Sequence, residues 1–234
     1  TGAFAIKRST MPPRPAALAI ERAAFAAGIP MPRPIQTTST GPAATYQTNA
    51  GLVWVRAYSW IEGEPGDWGQ VSEGASFEVG QLVARVHALS VAPELLDEEP
   101  WHPPGEAGWR LLAEAATTAG HAWAQLLFEK IPLLLEAERH QATSFNDRTS
   151  PSQRDYHPPN LITPPLGPRI LVDWDAAGPA VARIETFKFA VVWATPEGER
   201  PDRELVRAFL RGYRAAGGQV EPPTPSEIVR QAQP

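Results

Sequence analysis

The sequence predicts an α+β protein with a small, β-rich N-terminal domain and a larger, mainly helical C-terminal domain. Apolar residues alternate with other residues in short runs over about the first 60 positions, which is typical of strands. From Ser76 onward they recur at helical spacing. Between these parts lies the segment EGEPGD, from Glu62 to Asp67, whose Gly and Pro are typical of a hinge. We therefore expect domains at 1–63 and 64–234.

The first domain is predicted to run strand, helix, strand, strand. AFAIK predicts a short strand that ends near Lys7, and AALAIERAAFAAG predicts a helix closed by Gly28. The stretch ATYQTNAGLVWVRAYSWIEG predicts a hairpin that turns at residues 49–51. Its second strand is expected to run from about 52 to 60.

Helices dominate the second domain. Helical spacing predicts five of them, over about 76–90, 107–119, 121–140, 184–194 and a last stretch that stops at Gly217. Pro132 is expected to kink or divide the third. Two strands, LIT and RILVDWD, are predicted to form a hairpin around the turn PPLGP.

Composition excludes several classes of function. The net charge of -5 and the lack of a Lys/Arg run argue against nucleic-acid binding. The absence of cysteine removes disulfides, thiolate zinc sites and cysteine nucleophiles. No apolar run approaches the roughly 18 residues that span a bilayer, and the N-terminus has no signal core. We expect a cytoplasmic protein with neither nucleic-acid nor membrane partners; the oligomeric state is not predicted.

Asp155, Asn160 and Asp173 form the most informative pattern. The loop RDYHPPN separates the first two by five positions, and its prolines restrict the shape of the chain. The hairpin that follows would return Asp173 to the neighbourhood of Asn160. Carboxylate and carboxamide oxygens with open positions suit magnesium that carries substrate phosphates. Asp155, if it is not a ligand, is suited to accept a proton from an attacking hydroxyl.

Each of these residues also has an ordinary interpretation. Asp155 alone fits a turn or cap, and Asp173 alone fits a strand that ends at a polar rim. Lys7 alone fits a solvated strand end, and Glu21 alone fits an exposed helix position. Their order is the stronger signal. A strand lysine, a helix glutamate, an Asp-x-x-x-x-Asn loop and an aspartate after a hairpin are the parts that kinase-like folds use for ATP phosphoryl transfer.

Several motifs together resemble the aminoglycoside phosphotransferase family, small-molecule kinases related to choline and homoserine kinases. FAIKRS resembles its lysine strand, AIERAAFAAGIPMPRPI its glutamate helix and YSWIEGEP its hinge. QLVARVHALS, QRDYHPPNLI and ILVDWDAAGPA resemble its LxxLHxL helix, catalytic loop and metal-binding strand. The resemblance covers essentially the full chain. It implies a two-lobed protein-kinase-like fold with a small β-rich N-lobe and a mainly helical C-lobe.

The resemblance also implies roles for the polar residues. Asp155 corresponds to the catalytic base, and Asn160 and Asp173 correspond to the ligands of Mg²⁺. Lys7 corresponds to the residue that holds the phosphates of ATP, with Glu21 as its ion-pair partner.

One segment completes the expected nucleotide site, and two other features depart from the family pattern. Backbone groups of Ser59 and Ile61 are expected to meet the adenine edge. The two strands and glycine-rich loop that precede the lysine strand in the family are missing from this sequence, so we expect an N-lobe that is truncated or lacks that segment. Gln153 stands where the family usually has a structural histidine.

The implied activity is transfer of the γ-phosphate of ATP to a hydroxyl of a small molecule. The leading expectation for the acceptor is an antibiotic, either an aminoglycoside or a basic peptide. Its pocket is expected to be built from helices between 101 and 140, with Glu106 and Glu114 as acidic contacts. A metabolic kinase for choline, homoserine or a sugar is an alternative. An inactive kinase-like binding protein is another, because the glycine-rich loop is missing and Gln153 replaces the histidine.

Overall fold

The computed structural model describes residues 2–36, 43–49, 51–96, 104–141, 149–195 and 200–220. The chain divides into two compact units. The first combines Thr1–Glu98 with Thr149–Pro222, and the second combines Glu99–Arg148 with Pro223–Pro234. The domain boundary predicted after residue 63 falls inside the first unit, and it stays a prediction.

One antiparallel sheet forms the N-terminal part of the first unit. It contains β1 (Phe4–Ser9), β2 (Pro34–Ile35), β3 (Ala44–Thr48) and β4 (Gly51–Ser59). The central strand is β4, which pairs with β1 on one side and with β2 and β3 on the other. The predicted strand at Lys7 and the predicted hairpin are both confirmed. Strand β2 was not predicted, and neither were the strands at Glu64–Pro65, Thr149–Ser152 and Gly178–Val181 outside this sheet.

Helix α1 (Pro15–Ala26) follows β1, as the sequence predicts. Its first residue is a proline, whose fixed φ suits the first helical turn and whose missing N–H is not needed there. Gly28, with φ of 68°, adopts the left-handed conformation typical of a residue just beyond a helix end. The buried face of α1 is apolar except for one carboxylate, that of Glu21. A charge buried on such a face requires a partner.

Three antiparallel strand pairs join short strands that lie between residues 64 and 181 of the chain. Strand β5 (Glu64–Pro65) pairs with β7 (Leu161–Thr163), and β7 pairs with β8 (Ile170–Leu171). Strand β6 (Thr149–Ser152) pairs with β9 (Gly178–Val181). The chain near the predicted hinge is therefore tied by hydrogen bonds to the hairpin of β7 and β8.

Helices α2 (Glu73–His87), α5 (Ala182–Trp193) and α6 (Arg203–Ala215) supply half of the buried hydrophobic cluster of this unit. Helices α2 and α6 approach each other closely at two glycines. A Cβ on Gly80 would overlap a backbone carbonyl of α6, and a Cβ on Gly212 would overlap one of α2. Small residues at a helix crossing let the backbones touch, so this pair fixes the packing of the core.

The described part of the second unit contains helices α3 (Gly105–Thr118) and α4 (Ala124–Gln141). Pro132 lies inside α4 and does not divide it, so that alternative of the sequence prediction is wrong. The indole N–H of Trp109 donates to Glu138 Oε1 at 2.6 Å and links the two helices. None of the described helices is long and apolar enough to cross a membrane.

Candidate active site

Asp155 lies in the loop between β6 and β7, where its carboxylate is 37% exposed. Oδ2 accepts a hydrogen bond from the side-chain amide of Asn160 at 2.8 Å, and the same amide nitrogen donates to the Asp155 carbonyl at 2.9 Å. Oδ1 lies 3.3 Å from His157 Nε2. The two partners orient the carboxylate while one side of it remains open to solvent.

His157 is held by aromatic rings. Trp68 and Phe189 pack against it with ring centroids at 5.4 and 5.5 Å. Burial lowers the pKa of His157, and Lys188 acts in the same direction, whereas the negative charge of Asp155 opposes both. This geometry fixes the side of Asp155 that the imidazole approaches.

Gln153 is fully buried and joins the loop to the hairpin. Its Oε1 accepts from the Asp155 N–H at 2.8 Å. Its Nε2 donates to the carbonyls of Val172 and Asp173 at 3.1 and 2.6 Å. All three contacts are to backbone, so Gln153 has a structural role in this fold.

Strained backbone also occurs at this site. Among the described residues other than glycine, only Arg154 and Asp173 have positive φ, at 66° and 57°. Such conformations cost of the order of 1 kcal/mol and persist where the surrounding contacts enforce them, commonly at functional sites. The left-handed turn at Asp173 explains why the predicted strand RILVDWD is extended only over Ile170–Leu171. The length predicted for that strand was therefore wrong.

The hairpin returns Asp173 to the loop as the sequence predicts. The Val172 N–H donates to the Asn160 carbonyl at 2.9 Å, and Leu161 pairs with Leu171. Asp173 thus follows directly after the residue that is bonded to Asn160. The sequence-predicted trio of Asp155, Asn160 and Asp173 lies at one end of this hairpin.

Lys7 reaches the same place from strand β1. Its Nζ lies 2.5 Å from Asp173 Oδ1 and 2.8 Å from Asp175 Oδ2. Burial alone would lower the pKa of Lys7, but the hydrogen bonds and charges of Asp173 and Asp175 outweigh burial and raise it. The lysine is therefore a fixed positive charge between two carboxylates.

Glu21 does not pair with Lys7 as expected. Its carboxylate forms an ion pair with Arg56 and accepts a hydrogen bond from the Tyr58 hydroxyl at 3.0 Å. Burial raises the pKa of Glu21, although Arg56 and Tyr58 oppose that rise. Both groups have other partners: Asp173 and Asp175 hold the lysine, and Arg56 occupies the buried position next to the glutamate.

Two arginines that sequence reasoning missed connect these elements. Arg14, just before α1, donates to the carbonyls of Asp175 and Ala177, both at 3.1 Å. Arg56 lies directly opposite Lys7 in the register of β1 and β4. A charged residue within the apolar run of β4 was the available signal for Arg56, but its partner becomes visible only with the register.

The predicted adenine contacts lie at the end of β4. The Ser59 N–H donates to the Arg33 carbonyl at 2.9 Å, and its hydroxyl accepts from the Arg33 N–H at 2.9 Å. The Trp60 N–H donates to the Ala3 carbonyl at 3.2 Å. Ile61 makes no backbone hydrogen bond among the described residues. The N–H of Ser59 is thus already used within the fold.

The donor set suits a cation that also binds phosphate. No three His, Asp or Glu side chains in the described part of the chain are arranged to hold a metal ion by themselves. Mg²⁺ commonly takes one or two carboxylates, waters and substrate phosphates. Asp173 and the amide oxygen of Asn160 fit such a site. The ammonium of Lys7 already lies against two carboxylates, so positive charge is favoured there.

Solved structures share this fold at low sequence identity. A spectinomycin phosphotransferase in complex with ADP and spectinomycin is 16% identical, with 98% of this chain and 70% of that chain covered and a TM-score of 0.67. A Plasmodium vivax ethanolamine kinase is 11% identical, with 97% and 63% covered and a TM-score of 0.65. An amicoumacin kinase bound to AMP-PNP and Ca²⁺ is 14% identical, with 92% and 66% covered and a TM-score of 0.64. The predicted α+β, protein-kinase-like fold is therefore confirmed.

Sequence comparison identifies the family. No curated protein matches the chain. The model of the phosphotransferase enzyme family matches residues 6–218, a span that runs from the lysine strand to the end of the last helix. This protein therefore belongs to the phosphotransferase enzyme family, as its motifs indicated.

Proposed function

We propose that this protein transfers the γ-phosphate of ATP to a hydroxyl group of a small molecule. The proposal rests on one observation: the oriented side chains of Asp155 and Lys7 both lie at the hairpin of β7 and β8. Asp155 is fixed by Asn160 at 2.8 Å, and Lys7 reaches Asp173 at 2.5 Å. Phosphoryl transfer depends mainly on positioning and on electrostatic stabilisation, and this arrangement can supply both.

Asp155 is proposed as the base. Its open oxygen edge can accept the proton of an acceptor hydroxyl, while Asn160 and His157 keep the carboxylate from rotating. The base in such reactions must lie within hydrogen-bond reach of the attacking hydroxyl. An acceptor that lies against the exposed side of Asp155 would meet this requirement.

Lys7, Asp173 and Asn160 are proposed to bind the phosphates together with Mg²⁺. When bound, Mg²⁺ neutralises negative charge on the phosphates. Asp173 and the amide oxygen of Asn160 would hold the ion, and Asp173 would exchange its contact with Lys7 for this role. The ammonium of Lys7 would then be available for phosphate oxygens. Glu21 would support the nucleotide site only indirectly, through Arg56.

Adenine is proposed to bind at the end of β4. The carbonyl of Ser59 and the backbone of Ile61 are the groups that could meet its polar edge. Residues 1–63 would then supply most nucleotide contacts, and residues 64–234 would supply catalysis and acceptor binding. Structural relatives with ADP or AMP-PNP bound support a nucleotide site of this kind.

The acceptor is proposed to be a hydroxylated amine, such as an aminoglycoside. The structural relatives include kinases for spectinomycin, amicoumacin and ethanolamine. Glu106 forms an ion pair with Arg110 at 2.9 Å, and the acceptor contacts expected from the sequence for Glu106 and Glu114 stay predictions. Choline and homoserine belong to the same experimental screen because they share the reactive hydroxyl.

Calorimetric titration with ATP, with and without Mg²⁺, tests the nucleotide site. We expect the wild type to bind ATP more tightly with Mg²⁺, and we expect Asp173→Asn to lose this dependence. Asp202→Asn is the matched control. Asp202 caps α6 by accepting from the Glu204 N–H at 2.7 Å, and asparagine caps a helix about as well.

An acceptor screen then tests the reaction. Release of ADP is measured with spectinomycin, aminoglycosides, choline, ethanolamine and homoserine. ADP formation that depends on one acceptor supports the proposal and identifies the class of acceptor. Absence of Mg²⁺-dependent ATP binding in the wild type would contradict the proposed activity and favour a kinase-like binding protein.

A further inference from the structure

Arg56 has an unusual position for a charged side chain. It lies in the middle of β4 and is only 8% exposed. The antiparallel register places it directly opposite Lys7 on β1. Like charges that face each other across two strands repel, so this pair requires negative partners.

Asp175 supplies the partner that Lys7 and Arg56 share. Its Oδ2 lies 2.8 Å from Lys7 Nζ, and its Oδ1 lies 3.2 Å from Arg56 Nη1. The other terminal nitrogen of Arg56 forms the ion pair with Glu21. The guanidinium therefore connects the buried face of helix α1 to the turn that follows Asp173.

The surroundings hold the guanidinium in one plane. Its central carbon lies 5.2 Å from the centroid of the Tyr58 ring, and the Tyr58 hydroxyl donates to the same glutamate at 3.0 Å. A planar fork that is fixed in this way holds two carboxylates at a set separation. Lysine has a single ammonium group and cannot reproduce this geometry.

We propose that Arg56 is a positioning residue for the phosphate site, acting through Asp175. This inference rests on the proposed function. Arg56 neutralises Glu21, so that Lys7 pairs with the carboxylates of the hairpin and not with the helix. It also anchors Asp175 when Lys7 engages phosphate, which keeps the turn that carries Asp173 in place.

A purely structural ion pair between Glu21 and Arg56 would give a different pattern. It would require contact with the glutamate alone, and its loss would lower stability without a specific effect on magnesium. The second contact, to Asp175, is made to a side chain that is 44% exposed. Loss of that contact has little to do with core packing, so its effects report on the site.

A double-mutant cycle tests the inference. The variants are Arg56→Lys, Asp175→Asn and the double variant, each titrated with ATP in the presence and absence of Mg²⁺. We expect each single change to weaken binding of Mg²⁺-ATP about tenfold, within the range for residues that share one network. The double variant should bind no more weakly than Asp175→Asn alone, because Arg56 acts through Asp175.

Two controls separate positioning from stability. The double change Glu21→Gln with Arg56→Gln replaces the buried ion pair by two neutral amides, and it should also lose about tenfold in affinity. Arg169→Lys alters another arginine–glutamate pair, with Glu78, and should bind Mg²⁺-ATP like the wild type. Thermal unfolding of every variant identifies losses that arise from misfolding.

The outcomes distinguish the inference from the function on which it rests. If the wild type binds no Mg²⁺-ATP, the proposed function and the inference both fail. If the wild type binds and the effects of Arg56→Lys and Asp175→Asn simply multiply, only the inference fails. The inference also fails if Arg56→Lys binds Mg²⁺-ATP with the affinity of the wild type.

Discussion

The side-chain amide nitrogen of Gln153 lies 2.6 Å from the backbone carbonyl oxygen of Asp173. Through this contact, and through the bond from the Asp155 N–H to its Oε1 at 2.8 Å, one buried side chain fixes both acidic residues of the candidate site. A glutamine can make these contacts because its carboxamide has an acceptor and two donors on one planar group. The departure from the family's usual histidine is therefore compatible with an intact site.

Gln153→Leu should destabilise the protein by at least about 2 kcal/mol. The change removes three hydrogen bonds, from the Asp155 N–H and to two carbonyl oxygens, and each such bond contributes roughly 0.5–1.5 kcal/mol. Urea unfolding followed by fluorescence measures the loss. Gln47→Leu is the matched control: the exposed side chain of Gln47 donates to the Thr48 carbonyl, and its replacement should change stability by less than about 0.5 kcal/mol. Equal effects of the two changes would contradict a bridging role for Gln153.

Asp155→Asn should abolish most phosphoryl transfer while the fold and ATP binding are retained. The amide can still accept the hydrogen bond from Asn160, but it cannot take a proton from the acceptor. We expect turnover to fall by ~10²–10⁴-fold. ADP release is measured with the acceptor that the screen identifies, and ATP affinity is measured by calorimetry. Turnover within a few-fold of wild type would exclude Asp155 as the base.

Gly212→Ala should lower stability by roughly 1–3 kcal/mol or more, because the added methyl group would overlap the Phe77 carbonyl oxygen on α2. Gly74→Ala, in the first turn of α2, is the control. A Cβ there has no neighbour nearer than 3.9 Å, the hydroxyl of Ser72, so the better helix former should be neutral or stabilising by up to about 1 kcal/mol. Thermal unfolding compares the two. A fully stable Gly212→Ala protein would show that α2 and α6 can separate.

Local patterns predict the elements that carry the site, and they fail where tertiary contacts decide. The strand of Lys7, the helix of Glu21 and the hairpin between Asn160 and Asp173 follow from periodicity and turn residues. Strands of two residues, such as Pro34–Ile35, have too few positions to show an alternation. The end of β8 was missed because aspartate can adopt a left-handed φ, but the surrounding contacts decide at which position it does so.

The pairing of charges was the least predictable part of the site. A glutamate on α1 and a lysine on β1 satisfy the family order, yet the sequence contains no information on which cation lies nearer. The register of β1 against β4 places Arg56 beside Lys7, and this shows that Arg56 can compete with Lys7 for the ion pair with Glu21. The long-range partners of buried charges depend on packing, so a motif can assign a residue to a site without assigning its contact.

His157 should make stability depend on pH in a defined direction. Burial, aided by Lys188, lowers the pKa of the folded imidazole despite the opposing charge of Asp155, whereas in the unfolded chain the pKa returns to about 6.5. As the pH falls through 6.5, the unfolded state gains a proton that the folded state does not yet bind. The free energy of unfolding must therefore fall, and it continues to fall until the pH passes below the folded pKa.

Urea unfolding at pH 7.5 and pH 5.5 measures this effect, with His157→Gln as the comparison. The glutamine variant lacks the titrating group, so its free energy of unfolding should decrease less than that of the wild type over the same interval. Carboxylates that do not contact His157 contribute alike to both proteins and cancel in the difference. An equal decrease in both proteins, or a larger one in the variant, would mean that the imidazole is not buried among Trp68, Phe189 and Asp155 in solution.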